Sequence, residues 1–275
     1  IIPTGKEKLQ NFMTKFITKK PSYKNDIYIK KFFNNLKINE LKGSKDISLP
    51  IIKKKIEKKA YGPNLLDLYM LYNIILLNKR TTVLEFGSGW SSLIISHALK
   101  NLRKKYFKKI EKLRRSNPFE LFILENENKF LKLTKKRLGN IKSIKIHFSL
   151  SDVVMTNYNN KFATEYKKLP LCNPDFIYLD GPDQFKVKKT INNFTTAHQD
   201  MMPMVCDILK MEYFLLPGTI MLVDGRGANA SFLKNNFQRN WKYEYFKFSD
   251  QHLFTLIDKP IGPINKKLIQ FYNSK

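Results

Sequence analysis

From residue 81 onward, short apolar runs alternate with longer segments whose apolar positions recur at helical spacing. The short runs predict five strands: Thr82–Phe86, Leu121–Glu125, Lys145–Phe148, Phe176–Asp180 and Ile220–Asp224. The longer segments predict four helices: Ser91–Lys105, Glu127–Leu138, Thr190–Phe214 (with a break expected, if anywhere, at Pro203) and Asn229–Asn236. This alternation is typical of a doubly wound α/β fold, in which helices cover both faces of a mostly parallel sheet.

The pattern changes towards both ends of the chain. Tyr243–Phe248 and Leu253–Ile257 are two β-type runs separated by a short polar turn, which predicts an antiparallel hairpin and brings the sheet to seven strands. Leu65–Leu77 follows a Gly-Pro-Asn turn and is strongly apolar, so we expect a helix packed on the sheet. Lysine clusters and apolar pairs alternate before it. We therefore divide the chain into a basic, mainly helical N-terminal extension (1–62), a main domain (63–260) and a C-terminal tail (261–275).

The net charge of the chain favours anionic partners but does not identify which class of partner it binds. The 275 residues carry 50 basic and 23 acidic side chains, a net charge of +27. Residues 1–60 hold 16 lysines against 5 acids, and Lys100–Arg115 holds nine basic residues against Glu111. Such density attracts nucleic acid, anionic lipid or phosphorylated substrates. Because Lys, Asn and Ile are abundant throughout, a general compositional bias explains the excess equally well. Either way, we expect salt-sensitive binding to polyanions.

Composition also excludes several classes. No apolar run approaches the roughly 18 to 20 residues that a bilayer-spanning helix needs. The first six residues lack the layout of a signal peptide. The two cysteines, Cys172 and Cys206, fit no metal-ligand spacing and no disulfide framework. We therefore expect a cytoplasmic globular protein.

The turn after the first predicted strand is the strongest local signal. It reads Glu85-Phe86-Gly87-Ser88-Gly89-Trp90, and glycines at a strand-to-helix turn let the backbone approach a ligand closely. Glu85 would repel a pyrophosphate but suits a ligand with positive charge and hydrogen-bond donors. A dinucleotide site needs a third glycine at position 92, which is Ser, and an acid about 20 residues further on. The next acid at a strand end is Glu125, so the dinucleotide interpretation fits poorly.

Carboxylates recur at the ends of successive predicted strands. The ordered set is Glu85, Glu125, Asp152, Asp180 and Asp224. Together with the glycine turn, this set resembles class I S-adenosylmethionine-dependent methyltransferases, over about residues 65 to 257. The resemblance implies a Rossmann-like methyltransferase domain over 63–260, whose sheet ends in an antiparallel strand.

The resemblance also implies roles for individual residues. S-adenosylmethionine would contact Glu85 and the turn residues Gly87, Ser88, Gly89 and Trp90. Glu125, with Asn126 beside it, would accept the ribose hydroxyls, although either residue could instead cap the following helix. Asp152 would lie beside the adenine amine. Asp180 would face both methyl donor and acceptor.

We expect Asp180, Asp224 and Arg226 to be the catalytic residues, acting on the methyl acceptor. Either carboxylate could take the acceptor's proton, or the two could hold a divalent cation. Gly225 stands where metal-dependent relatives carry Asn, which puts the metal in doubt. Arg226 could clamp an anionic substrate or form a salt bridge with Asp224 or Asp183. His198 and His252 are further acid–base candidates, although a lone histidine is more often structural.

The acceptor stays open at this stage. The motifs of base-methylating enzymes are missing, which favours an oxygen on a small molecule, a sugar or a polysaccharide precursor. RNA is the alternative acceptor, because of the basic extension and Lys100–Arg115. A noncatalytic binding protein that keeps the fold is a third hypothesis. The sequence does not indicate the oligomeric state.

Overall fold

The computed structural model describes residues 16–41, 60–114, 116–139 and 141–274. Its strands are β1 (Thr82–Phe86), β2 (Glu120–Glu125), β3 (Lys145–Leu150), β4 (Val153–Tyr158), β5 (Lys161–Tyr166), β6 (Phe176–Leu179), β7 (Val187–Lys188), β8 (Ile220–Asp224), β9 (Trp241–Phe246) and β10 (Gln251–Leu256). Seven of them form one sheet in the order β3-β2-β1-β6-β8-β10-β9. Among these seven strands, β10 alone runs opposite to the other six. The expected seven-stranded, mostly parallel sheet is confirmed.

Helices cover both faces of this sheet. They are α1 (Asp26–Asn35), α2 (Leu65–Leu77), α3 (Trp90–Ile110), α4 (Asn128–Leu138), α5 (Asp207–Met211), α6 (Gly227–Lys234) and α7 (Gly262–Asn273). Helices α1 to α4 and α7 share one hydrophobic cluster with alternate strand residues such as Val83 and Leu222. Helices α5 and α6 pack into a second cluster with the intervening residues such as Leu84 and Val223. The two clusters are the two layers of a doubly wound fold.

Helix α2 is buried along most of its length. The Asn64 side chain caps it by accepting from the backbone N–H groups of Leu66 and Asp67, at 3.1 and 3.3 Å. A helix that is apolar nearly all round is stable only when it is enclosed. Seven of its residues are buried, between the sheet and the aromatic side chains of α1. Its first turn lies at the carboxyl edge of the sheet, because Gln251 Nε2 donates to the Asp67 carbonyl at 3.4 Å and Gln251 pairs with Asp224 at the end of β8.

A small second sheet was not predicted. It has the order β5-β4-β7, and β4 and β5 form a hairpin. Asn159 and Asn160 join them, with φ angles of 46° and 60°. Two residues at positive φ make a type I′ turn, whose twist matches that of a hairpin. In the sequence, two β-type runs separated by Asn-Asn are the signal that could have predicted this hairpin.

The helix predicted over Thr190–Phe214 is wrong. Most of this stretch is irregular, and only α5 and a 3₁₀ turn at Glu212–Phe214 are helical. Lys189, Asn192 and Asn193 have positive φ angles, which a right-handed helix does not tolerate. Helix α5 is fixed by Asp207, whose carboxylate accepts from the Tyr166 N–H of β5.

The chain termini add to the same core. Residues 261–274, which we expected as a tail, contain α7, and its Leu268 and Phe271 lie in the first hydrophobic cluster. In the N-terminal extension the structure describes α1 and its surroundings. Residues 1–15 and 42–59 lie outside the described residues, so its mainly helical character stays a prediction. Within the described part of the chain, no helix has the length and apolar character needed to cross a membrane.

The order of the strands places a switch in chain direction at one point of the sheet. The chain moves outwards from β1 through β2 to β3, and later outwards on the other side through β6 and β8. The direction therefore reverses between β1 and β6. In open α/β sheets, ligands bind outside the carboxyl ends of the strands at such a switch point.

Candidate functional site

Two glycines meet at the switch point. Gly87 follows β1 with a φ of +99°, and Gly181 lies just beyond the end of β6. A Cβ on Gly181 would stand 2.5 Å from the Gly87 nitrogen, and one on Gly87 would stand 2.9 Å from the Gly181 nitrogen. Neither distance is tolerated by real side chains. The two loops can therefore cross only as bare backbone.

Glu85 supports the glycine turn from inside. Its carboxylate is fully buried and accepts from the hydroxyls of Ser91 and Ser92, at 2.5 and 2.6 Å. Burial raises the pKa of Glu85 to about 8, although the two hydroxyls oppose the shift. The Glu85 carboxylate thus contacts the first turn of α3, and its expected contact with a ligand stays a prediction.

The outer part of the turn is more open. Ser88 Oγ donates to Glu125 Oε2 at 2.7 Å, which joins the ends of β1 and β2. A Cβ on Gly89 would have Ser91 Oγ, 3.9 Å away, as its nearest neighbour. Trp90, half-buried, lies under the Arg137 guanidinium at 3.9 Å. Space for a ligand is therefore found at Gly89 rather than at Gly87.

Glu125 lies at the end of β2, 2% exposed. Its Oε1 accepts from the backbone N–H groups of Asn126 and Glu127, at 2.8 and 2.9 Å. Burial raises its pKa, against the effect of these donors. The cap of α4 is Glu127, which accepts from the Lys129 N–H. The alternative role of Glu125 or Asn126 as the helix cap is therefore wrong.

Asn126 holds two loops together. Its Nδ2 donates to the Asp183 carbonyl at 3.2 Å, and its Oδ1 accepts from the Asp183 N–H at 2.8 Å. This reciprocal pair ties the end of β2 to the loop after β6. Asn126 thus positions the site's framework, and its amide is already committed within the protein.

Arg226 is paired with the Asp180 loop. Its Nη2 donates to the carbonyls of Asp180 and Pro182, at 2.8 and 3.0 Å, and its Nε lies 3.8 Å from Asp180 Oδ1. The salt bridge we considered with Asp224 or Asp183 is thus made with Asp180 instead. The Asp180 side chain keeps 53% of its surface exposed, so it faces the open crevice.

Three carboxylates face one another across this crevice. Asp180 and Asp224 come from β6 and β8, and Asp67 comes from the first turn of α2. Desolvation raises the pKa of each, to about 6 for Asp180, about 7 for Asp224 and about 9 for Asp67. Mutual repulsion adds to the shifts of Asp224 and Asp67. Carboxylates coupled in this way share protons and titrate as a group.

Tyr178 and Asp67 are members of the site that sequence reasoning missed. The Tyr178 hydroxyl donates to Asp224 Oδ2. Asp67 Oδ1 is buried without a hydrogen-bond partner among the described residues. In the sequence, Asp67 merely interrupts an apolar helix, and Tyr178 lies inside an apolar strand. Nothing local connects either of them with position 224.

The divalent cation has no ligand set in this crevice. Within the described ranges, no three His, Cys, Asp or Glu side chains converge closely enough to hold a metal ion. Asp224 instead accepts from Tyr178, and Asp180 lies beside Arg226.

The remaining candidates lie further from the crevice or are occupied. Asp152 pairs with Lys188 at 2.7 Å and Lys167 at 3.8 Å, which lowers its pKa. His198 is exposed in the irregular segment and accepts from the Asp200 N–H. His252 is buried on β10, bonded through Nδ1 to the Tyr243 hydroxyl, and burial lowers its pKa. The adenine contact of Asp152 stays a prediction that must compete with two lysines.

No family model matches this chain, and no curated protein matches it. Solved structures that resemble it include the O-methyltransferase from Bacillus cereus in complex with SAH. That likeness covers 86% of this chain and 92% of the other, with 10% sequence identity and a TM-score of 0.38.

Proposed function

We propose that the protein is an S-adenosylmethionine-dependent methyltransferase that transfers a methyl group to an oxygen of a small molecule or sugar. One observation carries the proposal: the glycine turn and Glu125 meet an acidic crevice at the switch point of the sheet. Ligands of open α/β sheets bind at this position. An acidic crevice suits a cationic ligand that also presents hydroxyl donors.

Residues around the turn fit such a ligand. Gly89 leaves room for close approach, and Glu125 offers a carboxyl group whose position is fixed by two backbone N–H donors. A carboxylate fixed in this way can accept from the two hydroxyls of a ribose. When bound, S-adenosylmethionine supplies a methyl group activated by its positive sulfur. Its charge is complementary to Asp180 and Asp224.

Asp180 is the better placed proton acceptor. It is exposed to the crevice, and its pKa of about 6 leaves it largely ionised at neutral pH. A base with a pKa just below the working pH is well matched to taking a hydroxyl proton. Arg226 donates to the backbone carbonyls of Asp180 and Pro182. These bonds keep the Asp180 carboxylate aligned with the acceptor.

The crevice favours a small acceptor over RNA. Its carboxylates repel a phosphodiester backbone. The basic stretch that suggested RNA lies in the distal half of α3: Lys105 and Lys109 follow Trp90 by fifteen and nineteen residues. At 1.5 Å per residue, these positions are about 22 and 28 Å from the glycine turn. Lysines at that distance are too far away to contact a nucleotide that lies in the crevice.

Calorimetric titration with S-adenosylmethionine tests the donor. We expect binding by the full chain and a loss of about tenfold or more in Glu125→Gln, because the ribose hydroxyls lose a charged acceptor. Glu120→Gln is the matched control, since Glu120 lies at the opposite end of the same strand and pairs with His147. No binding by the unmodified chain, or equal losses in both variants, contradicts the proposal.

A turnover assay tests whether the protein transfers the methyl group and which class of acceptor receives it. The protein is incubated with labelled S-adenosylmethionine and a panel of hydroxylated metabolites, nucleotide sugars and RNA. We expect label on a small hydroxylated acceptor. Label on RNA supports the RNA alternative, whereas cofactor binding without label on any acceptor supports a noncatalytic binding protein.

A further inference from the structure

Helix α3 carries a stripe of lysines along one face of its distal half. Lys105, Lys108, Lys109 and Lys112 are exposed and follow one another at intervals that place them on the same side. The last of the four lies in the turn that follows the helix. A continuous positive face of this length is a surface on which several anionic groups of one partner can be bound at once.

Helix α7 turns this face into a groove. A cavity of about 590 Å³ lies between the two helices. Its lining is Lys108, Lys109, Lys112, Leu113, Lys267, Gln270 and Phe271. Lys109 Nζ lies 5.3 Å from the centre of the Phe271 ring, so the aromatic floor and the lysine walls are in contact. The groove thus collects four ammonium groups around a concave surface.

The positive charge of the groove is uncompensated. Within the described ranges, none of its four lysines forms an ion pair with an acidic side chain. The side chain of Lys79 lies nearby, and its pKa shows the effect of these positive charges. Its pKa is lowered to about 8, first by burial and then by repulsion from Lys19, Lys109 and Lys105. Like charges held together without ion-pair partners favour an external anion.

We propose that this groove, between the distal half of α3 and α7, binds the phosphodiester backbone of a nucleic acid. Closely spaced ammonium groups match a polymer with one negative charge per nucleotide. The concave shape fits a strand better than a flat bilayer. Phe271 is only 2% exposed, so it forms the floor of the groove and does not project for insertion into lipid. Contacts of this kind fix position without reading bases.

This surface is separate from the proposed catalytic crevice. The two lie at opposite ends of α3, and the crevice is acidic where the groove is basic. Binding at the groove therefore does not depend on S-adenosylmethionine or on turnover. Nucleic-acid binding at the groove can therefore be measured whether or not the protein transfers methyl groups.

Fluorescence anisotropy with a labelled single-stranded RNA of about 20 nucleotides tests the groove, over a series of KCl concentrations. The variant is Lys108→Gln/Lys109→Gln/Lys112→Gln. We expect its affinity to fall at least about fivefold below that of the control, and the slope of log K against log salt to decrease by about two, because three phosphate contacts are lost.

A charge-matched control separates the groove from the overall charge. Lys129→Gln/Lys132→Gln/Lys136→Gln removes three exposed lysines from α4 and leaves the groove intact. Both triple variants must unfold in urea with the midpoint of the unmodified chain. Equal weakening in the two variants overturns the proposal, because binding is then diffuse. It is also overturned if vesicles with phosphatidylserine, and not RNA, require the three groove lysines.

Discussion

Gly181 lies against Gly87 so closely that a Cβ on Gly181 would stand 2.5 Å from the Gly87 nitrogen. This contact joins the loop after β6 to the turn after β1, at the place where the strand order reverses. Backbone atoms that pack this tightly leave no freedom for the loops to shift independently. The geometry around Asp180 is therefore coupled to that of the glycine turn.

Gly181→Ala should disrupt this contact. A methyl group there would stand 2.5 to 2.9 Å from three backbone atoms of Phe86 and Gly87, so we expect a loss of about 1 to 3 kcal/mol in unfolding free energy by urea denaturation. Weaker S-adenosylmethionine binding should accompany it. Gly227→Ala is the control, since its nearest neighbour would be His252 Nε2 at an ordinary 3.6 Å. A stable, fully binding Gly181→Ala protein would show that the loops are free to separate.

Glu85→Gln should change how stability depends on pH. The folded pKa of about 8 exceeds the ordinary value of 4.5, so above pH 4.5 the folded state keeps a proton that the unfolded state releases. Stability therefore falls as pH rises, until pH passes about 8. Between about pH 5.5 and about pH 8.5, we expect the variant to lose about 1 to 3 kcal/mol less than the unmodified protein.

Urea denaturation at several pH values measures this difference. Glu127→Gln is the control, because the pKa of Glu127 is lowered by its bond to the Lys129 N–H. Its stabilising effect is complete above the ordinary pKa and disappears only at more acidic pH. Glu127→Gln should therefore shift the curve by a constant amount over the window. Parallel curves for Glu85→Gln and the unmodified chain would contradict the assignment of a buried, protonated Glu85.

Tyr178→Phe should move the pH dependence of donor binding. The Tyr178 hydroxyl bonds to Asp224 and lowers the pKa of that carboxyl. Without this donor, Asp224 ionises at higher pH, by about one unit. Since a cationic ligand binds best to ionised carboxylates, the midpoint of S-adenosylmethionine affinity against pH should rise by a similar amount.

Two comparisons make the Tyr178 experiment specific. S-adenosylhomocysteine lacks the positive sulfur, so its affinity should depend less on pH. Tyr243→Phe removes a hydroxyl that bonds to His252 rather than to Asp224, and its midpoint should match that of the unmodified protein. An unchanged midpoint in Tyr178→Phe means that Asp224 does not face the ligand.

Asn126→Ala should loosen the loop after β6. Two hydrogen bonds to the Asp183 backbone are lost, at about 1 kcal/mol each. Hydrogen exchange should accelerate at residues 181–184, and S-adenosylmethionine should bind several-fold more weakly. Asn101→Ala removes a side-chain bond between α3 and the Tyr72 hydroxyl of α2, and should leave both readouts unchanged. Equal exchange in the two variants would make Asn126 dispensable.

The inner strands of the central sheet could be predicted from sequence because they are buried on both faces. Such strands read as continuous apolar runs, and Thr82–Phe86 and Ile220–Asp224 begin and end where the pattern placed them. The carboxylate at each strand end was equally visible. Parallel strands bring their carboxyl ends to one edge, so the sequence alone places Asp180 and Asp224 close together.

The contacts that complete the crevice were not accessible to the same reasoning. Asp67 reaches it only because α2 begins above the sheet edge, which depends on tertiary packing. The partner of Arg226 was likewise undecidable, since several acids follow neighbouring strands. The irregular segment after β7 was misread because positive φ angles at Asn192 and Asn193 leave no trace in hydrophobic periodicity.

The 21 residues of α3, at 1.5 Å each, separate the acidic crevice from the lysine groove by about 30 Å. Side chains at the two ends of a helix of this length cannot contact the same nucleotide or metabolite. A polyanion segment held only at the groove therefore leaves the crevice open to freely diffusing ligands.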